Sequence, residues 1–176
     1  MTTNNTINAL GTGYDFDRAG PAAGYLMLAV RLIVGYWFLH AGWAKFAFVA
    51  GEPFNAAGYL ANAQTPIAPL FQFVAGTPWL LEVTNFMIPT GEFLIGLGIM
   101  LGALTRLAAF FGGFLMVMFY LGNADWAHGL VNGDLMGLML FVIVGVFAAG
   151  RIAGIDAVLE DTEFVKQRPK LRYLLG

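Results

Sequence analysis

Arg31, His40, Lys45, Glu82, Asn85, Glu92 and Asp134 are the side chains whose types and spacing point to chemistry in a chain that is otherwise strongly apolar. Glu92 lies near the middle of PWLLEVTNFMIPTGEFLIGLGIMLGALTR, Pro78 to Arg106, a stretch long enough to cross a bilayer. About 20 apolar residues suffice for that. A carboxylate at such a depth costs several kcal/mol unless it is paired or loses its charge. Intramembrane ionisable groups either mark a path for protons, ions or a redox head group, or hold one another and set helix register. Spacing alone does not separate the two.

The spacing does assign faces. Arg31, Gly35, Phe38, Gly42 and Lys45 recur at intervals of 4, 3, 4 and 3 and share one side of a helix. Glu82, Asn85, Pro89, Glu92, Gly96 and Ile99 recur at 3, 4, 3, 4 and 3 and share another. Small residues on such faces let helices approach closely. If two antiparallel spans share their end planes, a rise of ~1.5 Å per residue puts Arg31 and Glu92 ~13 and ~18 Å from one end. The same rise puts Lys45 and Glu82 ~34 and ~33 Å from it. The expected pairs are therefore Arg31 with Glu92 and Lys45 with Glu82. Pro89 is expected to kink its helix and free a carbonyl.

A quinone site needs a hydrogen-bond donor near a quinone carbonyl and a group that exchanges a proton. Tyr36, His40, Glu82 and Asn85 lie in one half of the spans and meet that description. Glu92, Arg31 and His40 are the candidate catalytic residues. Lys45, Glu82, Asn85 and Asp134 are the candidate substrate- or quinone-binding residues. His40 is nine residues from Arg31 and falls on the opposite face, with Trp37 and Trp43, toward lipid or a partner. Asp134 also suits the first turn of a helix, where the dipole favours an acid.

The elements that must position these groups are helices in a membrane. Of 176 residues, 59% are hydrophobic and 11% charged, against about 25% charged in soluble domains. The expected fold is an all-α integral membrane bundle of four transmembrane helices. Its spans run at about Ala22–Phe48, Pro78–Arg106, Leu107–Leu121 and Leu135–Ala149. Residues 1–20 are expected as a flexible tail, 21–151 as the membrane domain and 152–176 as a charged cytoplasmic tail. Between the first two spans, Val49–Thr77 carries Pro53, Pro66 and Pro69 among apolar residues and reads as an interfacial segment. Arg18, Arg106, Arg151, Lys166, Arg168, Lys170 and Arg172 all fall on one side of such a bundle. Both termini are then cytoplasmic, with the long first loop and the loop bearing Asp125 and His128 outward. The basic run Lys166–Arg172 suits anionic head groups. A multi-pass protein of a prokaryotic plasma membrane is the expectation.

There is no cysteine, and histidine occurs twice. That excludes disulfides and chain-ligated iron–sulfur clusters, and leaves little from which to build a metal or haem site. No metal, haem or nucleic-acid partner is expected; the lipid bilayer is, and a homo-oligomer or a second redox subunit fits the same pattern.

The runs RLIVGYWFLHAGWAKF, IPTGEFLIGLGIMLGALTRLAAFFG and GRIAGIDAVLE resemble the DoxX/DoxD family over about Arg31 to Glu160. The matching positions are Arg31, Lys45, Gly91, Glu92 and Arg106. The resemblance implies a small four-helix membrane protein. It also implies a role as the membrane subunit of a thiosulfate:quinone oxidoreductase acting with a second, smaller subunit, with quinone as a substrate. Other members are described as membrane anchors of thiol-redox complexes, and the lack of cysteine argues against thiol chemistry in this chain itself. A non-catalytic anchor or assembly subunit, and a small transporter, stand as alternatives.

Overall fold

The computed structural model describes residues 6–9, 12–15, 20–123 and 129–176. Asp125, Trp126 and His128, in the loop expected to face outward, lie outside the described residues. In the stretch expected as a flexible tail, β1 (Thr6–Ala9) and β2 (Thr12–Asp15) pair antiparallel, with Thr6 opposite Asp15 and Ala9 opposite Thr12. Thr6, Ile7, Thr12 and Tyr14 favour extended backbone.

The rest is a helical membrane protein. Three helices are long and apolar enough to cross a bilayer: α1 (Gly20–Ala44), α5 (Pro78–Leu101) and α6 (Thr105–Asn123). A fourth apolar helix, α7 (Gly133–Val146), is shorter. It starts at Asn132, whose side-chain oxygen accepts the Leu135 amide at 3.0 Å, and Asp134 occupies its first turn. The common core is Val34 and Phe38 from α1, Ile95 and Ile99 from α5, Ala109 and Met116 from α6, and Phe141 and Val144 from α7. Phe38 meets Phe141 edge to face at a centroid distance of 4.6 Å, a favoured aromatic geometry.

The connection expected to lie at the interface is folded into α2 (Ala47–Ala50), α3 (Ala57–Ala61) and α4 (Ala68–Gly76). Leu60, Ala63, Ala68 and Phe71 form a second apolar cluster against Leu81 of α5 and Leu121 of α6. This end of the bundle is called the loop end below, and the other the arginine end.

The segment expected as a charged tail is also folded. It contains α8 (Ile155–Glu160), α9 (Glu163–Lys166) and a 3-10 turn at Pro169–Tyr173, and it buries Asp156, Val165 and Leu175. The Leu107 amide donates to the Leu174 carbonyl at 3.2 Å, and the Asp156 amide to the Gly102 carbonyl at 2.7 Å. The segment is thus a cap tied to the first turn of α6 and the end of α5.

Candidate functional site

The two faces read from spacing are the faces that meet, but their register is displaced from the expected one. Gly35 lies against Met100, Gly96 against Leu39 and Gly42 against Phe93. A Cβ placed on Gly96 would stand 2.0 Å from the Leu39 amide nitrogen, and one on Gly42 would stand 2.3 Å from that of Phe93. These contacts are backbone to backbone, so a side chain at either position would force the helices apart. Following this register along α1, Lys45 falls beside Glu92, and Arg31 falls beyond the end of α5.

The expected pairs Arg31–Glu92 and Lys45–Glu82 are therefore overturned. Lys45 Nζ donates to Glu92 Oε2 at 2.5 Å, with the Glu92 side chain 4% exposed and that of Lys45 29% exposed. The same amine donates to the Ala41 carbonyl at 3.2 Å, closing the last turn of α1. Glu82 is exposed and has no ion-pair partner among the described residues. The two helices do not share end planes. α5 stops at Leu101, because Gly102 takes the left-handed conformation (φ 65°) and ends the helix. α1 stops at Ala44, short of the expected Phe48. The two helices are staggered, and glycine contacts, not depth, set the match.

Arg31 finds a different environment at the arginine end. Its Nη1 donates to the Ala149 carbonyl at 2.8 Å and the Ile152 carbonyl at 2.7 Å, and its Nη2 to the Ala153 carbonyl at 3.3 Å. The residue is 2% exposed, and Nε has no partner among the described residues. The guanidinium thus closes the chain where it leaves α7 through the 3-10 turn Ala149–Arg151. The carboxylate beside this junction is Asp156, fully buried, which the sequence reading did not single out. Its Oδ1 accepts the Leu104 amide at 2.8 Å, and its Oδ2 accepts the Thr105 amide at 2.9 Å and the Gly176 amide at 3.0 Å. Asp156 caps α6 from a distant point in the chain. It stands in the GIDAVLE run, but no local pattern announces a cap for a helix that begins at Thr105.

Leu104, Ala148 and Ala153 all have φ near +50° (50°, 50° and 51°) and all flank this junction. Such backbone costs about 1–2 kcal/mol per residue outside glycine. At Leu104 and Ala153 it persists because hydrogen bonds to Asp156 and Arg31 hold it.

The remaining candidates do not converge on one centre. The Asn85 side-chain oxygen accepts the Ala56 amide at 2.8 Å and anchors the start of α3. Asp134 accepts the Asn123 side-chain amide at 2.9 Å. Close by, the Tyr59 hydroxyl donates to the Phe119 carbonyl at 3.3 Å. Burial, with the Asp134 charge adding to it, pushes the Tyr59 phenol up to about 12. His40 is exposed on the far face of α1. Its ring lies 5.7 Å from that of Tyr36. These two line an open groove of about 520 Å³ with Leu32, Ile33, Trp37 and Met100. Tyr36 and His40 bring the strongest hydrogen-bonding groups to this mostly apolar lining. Among the described residues no group of three or more His, Asp or Glu side chains could hold a metal ion.

A family model described as DoxX matches residues 26–123. No curated protein and no solved structure matches the chain.

Proposed function

This chain belongs to the DoxX family, and from that membership and the geometry above we propose that it is the membrane subunit of a quinone-linked oxidoreductase. The observation that carries the reading is the groove beside α1. It opens away from the bundle, it is apolar along Leu32, Ile33 and Met100, and it holds Tyr36 and His40 side by side. An isoprenoid tail suits the first set. A quinone ring suits the second, with Trp37 to lie against and a hydroxyl and an imidazole to bond a carbonyl. Imidazole also exchanges protons near neutral pH, and quinone reduction takes up protons with electrons. Without cysteine in the chain, the electrons come from a second subunit or from a small reduced sulfur compound such as thiosulfate. We place the arginine end on the cytoplasmic side of a prokaryotic plasma membrane, from the Lys and Arg residues gathered there.

Proteoliposomes exposed to a photoactivatable quinone analogue test this. Labelling is expected within residues 32–40, competed by excess unmodified quinone. Tyr36→Phe with His40→Ala should weaken it roughly tenfold or more, from two lost hydrogen bonds at about 1 kcal/mol each. Labelling that is not competed, or is unchanged in the double variant, removes the groove from the reaction. That outcome favours the second reading, a non-catalytic anchor. The anchor is supported by Arg31 and Asp156, both buried and committed to backbone partners.

A further inference from the structure

The cap at the arginine end carries a surface that the proposed redox role does not use. Phe164 and Tyr173 are 58% and 77% exposed, although they lie outside the spans, where a surface aromatic would meet water. Lys166, Arg168, Lys170 and Arg172 lie between them in sequence and are exposed as well. The Arg168 guanidinium carbon stands 4.4 Å above the centre of the Phe164 ring. The acids nearby are partly engaged: Glu160 is held by Arg151 at 2.7 Å, and Glu163 lies 3.4 Å from Lys166. Asp161 is exposed at the end of α8. Arg168, Lys170 and Arg172 have no carboxylate partner among the described residues.

The position of this patch matters as much as its composition. The bond from the Leu107 amide to the Leu174 carbonyl ties the chain just past Tyr173 to the first turn of α6, a membrane-spanning helix. The basic and aromatic side chains are therefore held where that helix leaves the hydrocarbon. Aromatic rings settle at this depth, and cations there meet lipid phosphates. We propose that the face formed by Phe164, Arg168, Lys170, Arg172 and Tyr173 is a docking surface for the anionic phospholipid headgroups of the adjoining leaflet. The cations meet the phosphates, and the two rings enter the headgroup layer.

The test is hydrogen exchange of residues 164–174 in the intact chain, in nanodiscs of phosphatidylcholine with and without phosphatidylglycerol. Phosphatidylglycerol is expected to slow exchange roughly fivefold or more, and raised salt to abolish that slowing. The variant R168Q/K170Q/R172Q should exchange equally in both lipids, with the Leu107 amide still protected as proof that the cap is folded. If Leu107 loses protection, the salt titration of the unaltered chain decides instead. Equal exchange in the two lipids, or a difference that ignores salt, overturns the proposal. So does inorganic phosphate reproducing the protection in phosphatidylcholine alone, which would mark a free-phosphate site. The surface is separate from the groove beside Tyr36 and His40, so the quinone reading and this one fail independently.

Discussion

Arg31 on α1 and Lys45 just past its end lie on one side, about four turns apart, and each brings a cation to the side of the helix that packs inward. Arg31 is met by three backbone carbonyls, while the nearby carboxylate, Asp156, is met by three backbone amides. Lys45 is met by one carbonyl and by a carboxylate on another helix, and its amine keeps contact with the surroundings. At the arginine end both charges are met by main chain alone. They hold the strained backbone at Leu104 and Ala153 and join α5, α6, α7 and the cap. At the loop-end side of α1 the charges serve each other. An arginine fork spreads its donors over a rigid plane and reaches carbonyls that stand apart, whereas the donors of a lysine all radiate from one nitrogen. The difference separates a junction held by main chain from a pair of side chains on two elements that hold each other.

Breaking the junction should have the larger effect. Asp156→Ala leaves three amides without their acceptor and is expected to cost about 3–5 kcal/mol, read as loss of the thermal transition in detergent. Arg31→Lys should also cost more than about 2 kcal/mol, because the shorter head cannot span the Ala149, Ile152 and Ala153 carbonyls. A near-normal transition for either variant would dissolve the contrast with Lys45. For the pair, Glu92→Ala alone strands the lysine and should cost about 2–3 kcal/mol. Glu92→Leu with Lys45→Met should recover most of that, since an apolar pair has no charge to desolvate. A double variant as damaged as the single would mean that the pair is as structural as the junction. The smallest effect concerns Tyr59. Its phenol is pushed up to about 12 in the fold, against about 10 in an unfolded chain. The folded state therefore holds the proton more tightly. Tyr59 adds nothing to the pH dependence below pH ~10, and stability falls as pH rises from ~10 to ~12. Tyr59 is 40% exposed, which limits the size of the fall. Tyr59→Phe should flatten the stability curve in that window, as followed by unfolding at fixed pH values.

The faces of α1 and α5 were legible in advance because a helix repeats every 3.6 residues, so Gly35, Phe38 and Gly42 had to share one side of α1, and Glu92, Gly96 and Ile99 one side of α5. Their sliding position was not legible. It depends on which glycine meets which backbone, and a shift of a few residues exchanges one charge partner for another. Gly102, a left-handed stop, ends α5 at Leu101, short of the expected Arg106. The end of α1 had no such mark in AGWAKFAF, where Phe46 turns to extended backbone (ψ 137°). Asn85 and Asp134, read as ligand-binding groups, anchor α3 and bond Asn123. His40 lies on the exposed face of α1, beside Tyr36. Their sharing of one groove with Met100 of α5 needed both helices in place.

Composition and periodicity determined that this chain is a helical membrane protein with charged faces turned inward, because apolar content and the 3.6-residue repeat are properties of the chain itself. Tertiary structure decided which charges meet, because partners across helices depend on a register set by close backbone contacts. It also decided that a run of charged residues folds into a cap. Asp156 can cap α6 only when two parts of the chain far apart in sequence lie within hydrogen-bond distance.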